Sequence, residues 1–223
     1  MDDPAEPRDE PTPGTPADEA PARPYHHGDL RRALIEATFE LIDERGLEAT
    51  TLREVTRRAG VSHAAPYHHF ADRSELLSAA AVESFELLAV HLRSAARRAR
   101  GDGAMRLKAV VVAYARFALE HRQRWRLLIE PEPVSGPMGA EVHRAATQVR
   151  ERVGSVVQDA IEDGSLRADT DVETATIAVW SSMHGLTTLA TGGLLGGAVS
   201  PSRADRAARA VADSLLDGLR SPA

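Results

Sequence analysis

The sequence predicts an all-α protein of about nine helices: a small N-terminal helix-turn-helix module of three helices and a larger C-terminal helical domain. Three observations carry this. Apolar residues recur at helical spacing from Leu30 to Leu219, and no segment alternates with the period of two that marks a strand. Hydroxyl and carboxylate residues stand at helix-opening positions, several with an acid three residues on. Between residues 50 and 76 two short helical segments meet at Gly60 in a spacing suited to a tight turn.

The first helix has an apolar stripe at Leu30, Leu34, Ala37, Thr38 and Leu41 and stops at Gly46. Thr51-Leu52-Arg53-Glu54 reads as a capping box, with Glu54 reaching back to the cap. Leu52, Val55 and Ala59 then share one face, and Gly60 supplies the left-handed stop. Ser62 is a second N-cap candidate, opening a segment to about Phe70 with Pro66 in its first turn. Asp72 with Glu75 opens a long fourth helix from Arg73 to about Ala99, carrying Leu76, Leu77, Ala80, Phe85, Leu88 and Val90, and Gly101 and Gly103 interrupt it. Leu107 to His121 forms the next amphipathic face, and a short helix at 124–130 is ended by Pro131 and Pro133. The stripe Val142, Ala146, Val149, Val153, Val156, Ala160 runs to Gly164, and the segment Thr170–Glu173 caps the following helix. Gly192, Gly193, Gly196 and Gly197 form a linker, because no phosphate-binding fingerprint fits them. Ser200-Pro201 opens the last helix, with proline at the first helical position.

The segment from Ser62 to His69 is too short and too polar on one face for core. That chemistry suits entry into a DNA major groove, where the second helix of a helix-turn-helix reads bases. Ala64 and Ala65 allow close approach and can touch a thymine methyl. Thr51, Ser62, His63, Tyr67 and His68 offer donors to phosphate oxygens. Arg53, Arg57, Arg58 and Arg73 add positive charge. A helical hairpin with a merely solvated polar face is the alternative.

The run Leu30–Ala80 resembles the DNA-binding domain of the TetR/AcrR family of bacterial transcriptional regulators. Thr51, Arg53, Val55, Ala59, Gly60, Val61, Ser62, Tyr67, His69 and Phe70 match its pattern as they stand, and Arg73 replaces the usual lysine that contacts phosphate. Tyr25–Leu34 and the run Trp180, Met183, His184, Gly185 resemble a subgroup whose C-terminal domain carries Trp-x-x-x-His-Gly. The resemblance implies a helix-turn-helix domain over residues 25–72 and an effector-binding and dimerisation domain over 73–221. It implies binding to a double-stranded DNA operator by a homodimer, with His27 joining Thr51, Arg53, Ser62, His63, Ala64, Ala65, Tyr67, His68 and Arg73 on the DNA face. It also implies a pocket for a small apolar or amphipathic effector, with candidate walls Phe85, Tyr114, Phe117, His121, Trp125, Trp180, Met183 and His184. Leu186, Leu189, Val211, Leu215 and Leu219 are candidate dimer contacts, with ordinary intrachain core as the alternative. The outcome is a ligand-responsive repressor, or a regulator of the same fold controlled by a protein partner or with no effector.

Composition sets the remaining bounds. There is no cysteine, which excludes disulfides and thiolate metal sites. The absence of a long apolar run and of a secretory start leads us to expect a cytoplasmic protein, without membrane contact, associated with the nucleoid when bound to DNA. The net charge of −6 is unusual for a DNA binder, but residues 1–24 hold seven carboxylates against Arg8 and Arg23, a balance of −5, and the rest carries −1. With seven prolines and no aromatic residue, those 24 residues are expected to form a disordered acidic tail. His63 and His68 do not share a helix face and no carboxylate completes a zinc set, so no metal and no cofactor are expected. No nucleophile elbow, phosphate loop or carboxylate pair in a cleft is present, and the chain is not expected to be an enzyme.

Overall fold

The structure, a computed structural model, describes residues 27–62, 64–129, 136–195, 197 and 199–220. Among the described residues there are eight α-helices and one short 3-10 helix. The α-helices are α1 (His27–Arg45), α2 (Leu52–Ala59), α3 (Arg73–Arg98), α4 (Gly103–Glu120), α5 (Arg122–Ile129), α6 (Gly136–Glu162), α7 (Val172–Thr191) and α8 (Pro201–Leu219). The 3-10 helix, Ala65–His68, lies between α2 and α3. The acidic tail of residues 1–24 lies outside the described residues.

Caps explain most helix starts. The Thr51 hydroxyl accepts from Glu54 N at 3.2 Å, but Glu54 does not reach back: its carboxylate binds Arg45 and Arg57. Asp72 accepts from Glu75 N at 2.8 Å, and Glu75 accepts from Ala71 N, so each carboxylate at the start of α3 occupies an orphan donor. The cap of α7 is Asp171 rather than Thr170, and Ser200 with Pro201 opens α8 as expected. Gly60 has φ +68 and its amide donates to Arg57 O at 3.3 Å. A side chain there would cost roughly 1 kcal/mol in the left-handed region.

Gly103 has a different role from the break read in the sequence. It is the buried first residue of α4, and a Cβ built on it would lie 2.3 Å from Ala160 Cα. The glycine lets α4 cross α6 backbone to backbone. Asp163 Oδ2 and Ser165 Oγ then accept from the Gly103 and Ala104 amides at 2.7 and 2.9 Å, and Asp163 also pairs with Arg106.

Two apolar cores result. The N-terminal one joins Leu34, Ile35, Leu41 and Ile42 of α1 to Val55, Phe70 and the first turns of α3, Leu76 to Ala81. The larger joins Phe85, Leu88 and Leu92 of α3 to Tyr114 and Phe117 of α4, Val149, Val153 and Val157 of α6, and Met183 of α7. Helix α3 therefore serves both, its first two turns in the N-terminal core and its later turns in the other. Val90, read as part of the α3 stripe, is 48% exposed, because it points away from both cores.

Candidate nucleic-acid interface

The segment between Gly60 and Asp72 is held by its ends. Pro66 is buried, Phe70 is 1% exposed and packed in the N-terminal core, and the amides of His69 and Phe70 both donate to Pro66 O at 2.8 Å. Arg31 lies over the Phe70 ring at 5.6 Å. The sequence reading of a helix opened by Ser62 is corrected here. Only residues 65–68 are helical, in the tighter 3-10 form, and Ala64 stands at the N-cap without a side-chain hydrogen bond. A proline near the start and eleven residues between the Gly60 turn and the Asp72 cap leave room for one short turn.

That anchoring leaves Ser62, Ala64, Tyr67 and His68 exposed and Ala65 half-buried. Tyr67 is 63% exposed. With Leu52, Arg53 and Thr56 it lines a concavity of about 350 Å³ between α2 and the 3-10 turn. Thr51 is exposed at one end of α2. Arg53 is exposed and forms no ion pair among the described residues. Thr51, Arg53 and Tyr67 thus share one surface beside the alanine segment. His63 and the side chain of His27 lie outside the described residues.

The arginine cluster read from sequence largely dissolves. Arg57 pairs with Glu54 at 2.8 Å, and Arg58 pairs with Glu40 and Glu44. The guanidinium contacts hold Glu44 and Glu54 below the usual carboxylate range. Arg73 turns inward: its Nε donates to Thr50 O at 2.5 Å and its terminal nitrogen to Leu47 O at 2.6 Å. The expected phosphate contact at the start of α3 is therefore a clamp on the loop before α2. The loop carbonyls of residues 47 and 50 have no helical partner, and a guanidinium offers two donors to them.

The candidate effector walls are packed against one another. Tyr114, Phe117, Trp125 and Met183 are at most 1% exposed and Phe85 is 7%. Tyr114 stands edge-on to Trp125 and Trp180 at 5.2 and 5.6 Å, and its hydroxyl is 3.2 Å from His184 Nδ1. Burial pushes the Tyr114 phenol up and the His184 imidazole down. His121 contacts Phe117 and His91, and burial, then His91, lower it. The corrected reading makes these aromatic residues the filling of the C-terminal core. A larger cavity, about 710 Å³, opens elsewhere, between the second half of α3, α4 and α8.

Helix α5 joins the two cores, a role the sequence reading missed. Trp125 and Leu128 lie in the C-terminal core, whereas Leu127 lies in the N-terminal one. Arg124 sits 3.4 Å over the Phe39 ring, and Arg126 pairs with Glu48 at 2.9 Å. The run from Arg122 to Arg126 interleaves cations with an aromatic residue, and that was the available signal.

The candidate dimer contacts divide. Leu189 is 41% exposed; Leu186 and Val211 are half-buried, with Leu186 against Val112, Ala115 and Ala208. Leu215 and Leu219 pack on the C-terminal core, because their row on α8 is the flank facing α7. Among the described residues no helix is long and apolar enough to cross a membrane, and no three His, Asp or Glu side chains converge as for a metal.

Similarity to known proteins agrees with this architecture. A family model described as "Bacterial regulatory proteins, tetR family" matches residues 34–80, and one described as "Tetracyclin repressor-like, C-terminal domain" matches 107–215. The chain belongs to the TetR family. The activator FasR of Mycolicibacterium smegmatis is 33% identical over 118 residues, 53% of either chain. Matches of this kind span about half the length of the curated relatives. A solved protein of unknown function from Rhodococcus sp. RHA1 is 33% identical, with TM-score 0.77 over 90% of this chain and all of that one. The TetR-family regulator PfmR from Thermus thermophilus is 26% identical, with TM-score 0.64 over 86% and 97%.

Proposed function

We propose that this TetR-family chain is a ligand-responsive homodimeric repressor that binds a near-palindromic DNA operator in the cytoplasm. The observation that carries the DNA-binding reading is the grouping of Arg53, Tyr67 and Thr51 around one concavity, beside exposed Ser62 and Ala64. Arg53 and the hydroxyls supply phosphate donors that fix register, and Ala64 is small enough to lie along a base edge. His63, Ala65, His68 and His27 belong to the same proposed face.

One such face covers half a site. Two, about 34–36 Å apart, read successive turns of one duplex side. The exposed faces of α7 and α8 support a dimer. Ile177, Ser181, Gly185 and Leu189 lie on one, and Ala207, Ala210, Val211 and Ser214 on the other, all small or apolar. Such faces allow close helix approach and lose little on desolvation.

Regulation by ligand is supported by the way α3 and α5 each reach both cores, so a shift in the C-terminal domain changes how the DNA face is held. Footprinting on the DNA upstream of its own gene tests the reading, together with mass measurement in solution. The expected result is a protected near-palindrome and a dimer. A monomer with no preference over bulk competitor DNA would overturn it.

A further inference from the structure

We propose that the groove between the second half of α3, α4 and α8 binds an amphipathic anion, an apolar chain ending in a carboxylate or a phosphate. This deepens the ligand-responsive reading and rests on it only for the consequence at DNA.

The groove has a cavity volume of about 710 Å³, within the range of small-molecule sites. Its apolar lining includes Val90 and Met105, which are 48% and 42% exposed. Large side chains left this far in water inside one concavity mark a ligand surface better than scattered ones do. Five cations line the same groove, Arg98, Arg100, Lys108, Arg116 and Arg209, against one carboxylate, Glu120. Lys108 and Arg116 tie α4 to α8 through Asp213 and Asp205, and they form the wall. Arg98 and Arg100 make no ion pair among the described residues and stand exposed at the rim with Arg209.

DNA does not account for this charge. Arg98 lies 25 residues along α3 from Arg73, roughly 38 Å at 1.5 Å per residue, at the end away from the helix-turn-helix. The carbonyl end of α3 favours Arg97 and Arg98 by its dipole, but it does not explain Arg100 or Arg209 converging there from other segments. The dimer face does not cover the groove either. Arg209 and Gly218 are nine residues apart, half a turn, so they occupy opposite sides of α8. The apolar lining takes a chain, and the arginine rim takes its anionic head by charge-assisted hydrogen bonds.

Calorimetric titration of the full chain with sodium dodecanoate and with dodecyl phosphate, below their aggregation concentrations, tests the site without DNA. One or both bind, weakening as salt rises, and comparing them identifies the head; dodecyltrimethylammonium, acetate and inorganic phosphate do not bind. The triple variant Arg98→Ala/Arg100→Ala/Arg209→Ala, all exposed positions, keeps its thermal midpoint and loses affinity at least tenfold. Equal binding of the cationic probe, unchanged binding by the triple variant, or no binding of either anion overturns the site. If the anion binds through the arginines yet leaves affinity for the footprinted operator unchanged, the site stands and the regulatory reading fails.

Discussion

Replacing Arg73 and Arg53 one at a time separates a structural arginine from a DNA-facing one. Arg73 is half-buried and donates to Thr50 O and Leu47 O. A hydrogen bond to a charged group contributes about 1.5–3 kcal/mol. Partial exposure lowers the pair to a total of about 2–4 kcal/mol. At roughly 2–4 °C per kcal/mol for a chain of this length, Arg73→Ala lowers the thermal midpoint by about 4–16 °C. Arg73→Lys recovers less than half, because an ammonium on a flexible stem does not reproduce two fixed, divergent donors. Arg53 has no ion pair among the described residues to lose. Arg53→Ala leaves the midpoint within about ±0.5 kcal/mol of the original stability and reduces the slope of log affinity against log salt by roughly 0.9. The assays are calorimetric unfolding and fluorescence anisotropy on operator DNA at several salt concentrations. A stable Arg73→Ala protein with a reduced salt slope would show that Arg73 binds phosphate, and the clamp argument would be wrong.

Tyr67→Phe removes an exposed phenol and weakens all duplexes alike, by about 1 kcal/mol; Ala64→Leu weakens the operator selectively, by about 1–3 kcal/mol as for one mismatched base pair. Equal losses on operator and random DNA for Ala64→Leu would contradict the assignment of base readout to that position. Gly103→Ala places a methyl 2.3 Å from Ala160 Cα, and overpacking against backbone costs about 1–3 kcal/mol or more; an unchanged midpoint would refute the close crossing of α4 and α6. His121 and His184 are held below the ordinary histidine value of 6.5 in the folded chain, mainly by burial. The unfolded chain therefore takes up protons first, and stability falls as pH drops from 6.5 toward the folded values. The thermal midpoint should decline between pH 7 and 5.5, less steeply in His184→Gln, whereas the arginine-paired carboxylates Glu44, Glu54 and Asp205 act only below about 4.5. A flat midpoint above pH 5.5 would exclude the buried imidazoles as its source.

Local grammar was legible wherever a single residue controls it. The Thr51, Asp72 and Ser200 caps and the left-handed Gly60 are chemical requirements of helix ends, so their spacing in the sequence suffices. Partner choice was not legible. Arg53, Arg57, Arg58 and Arg73 look alike in sequence, and tertiary geometry alone gives Arg58 to Glu40 and Glu44 and Arg73 to two carbonyls. Gly103 shows the same limit: a glycine that permits close crossing reads as a helix interruption until Ala160 is placed beside it. The aromatic residues were found but misassigned. Periodicity put Tyr114, Phe117 and Trp180 on inward faces, and an inward face does not distinguish a pocket wall from core.

The two domains meet through side chains of one short helix and one long one, and this constrains any coupling. On α5, Trp125 and Leu128 belong to the C-terminal core, while Leu127, the Arg124–Phe39 stack and the Arg126–Glu48 pair belong to the DNA-binding side. The Arg126–Glu48 pair is solvated and contributes at most about 1 kcal/mol, so the buried Leu127 and the stacked Arg124 carry most of the attachment. On α3, the groove residues Val90 to Arg98 follow directly on the turns that end the N-terminal core. A ligand seated there need only favour one position of α3 over another. A difference of 1–3 kcal/mol, about 5–150-fold in operator affinity, is within what a single buried charge-assisted contact contributes. The rigidity of a 26-residue helix clamped at its start by Asp72 and Arg73 carries that bias to the loop before α2, where Arg73 holds the carbonyls of Leu47 and Thr50.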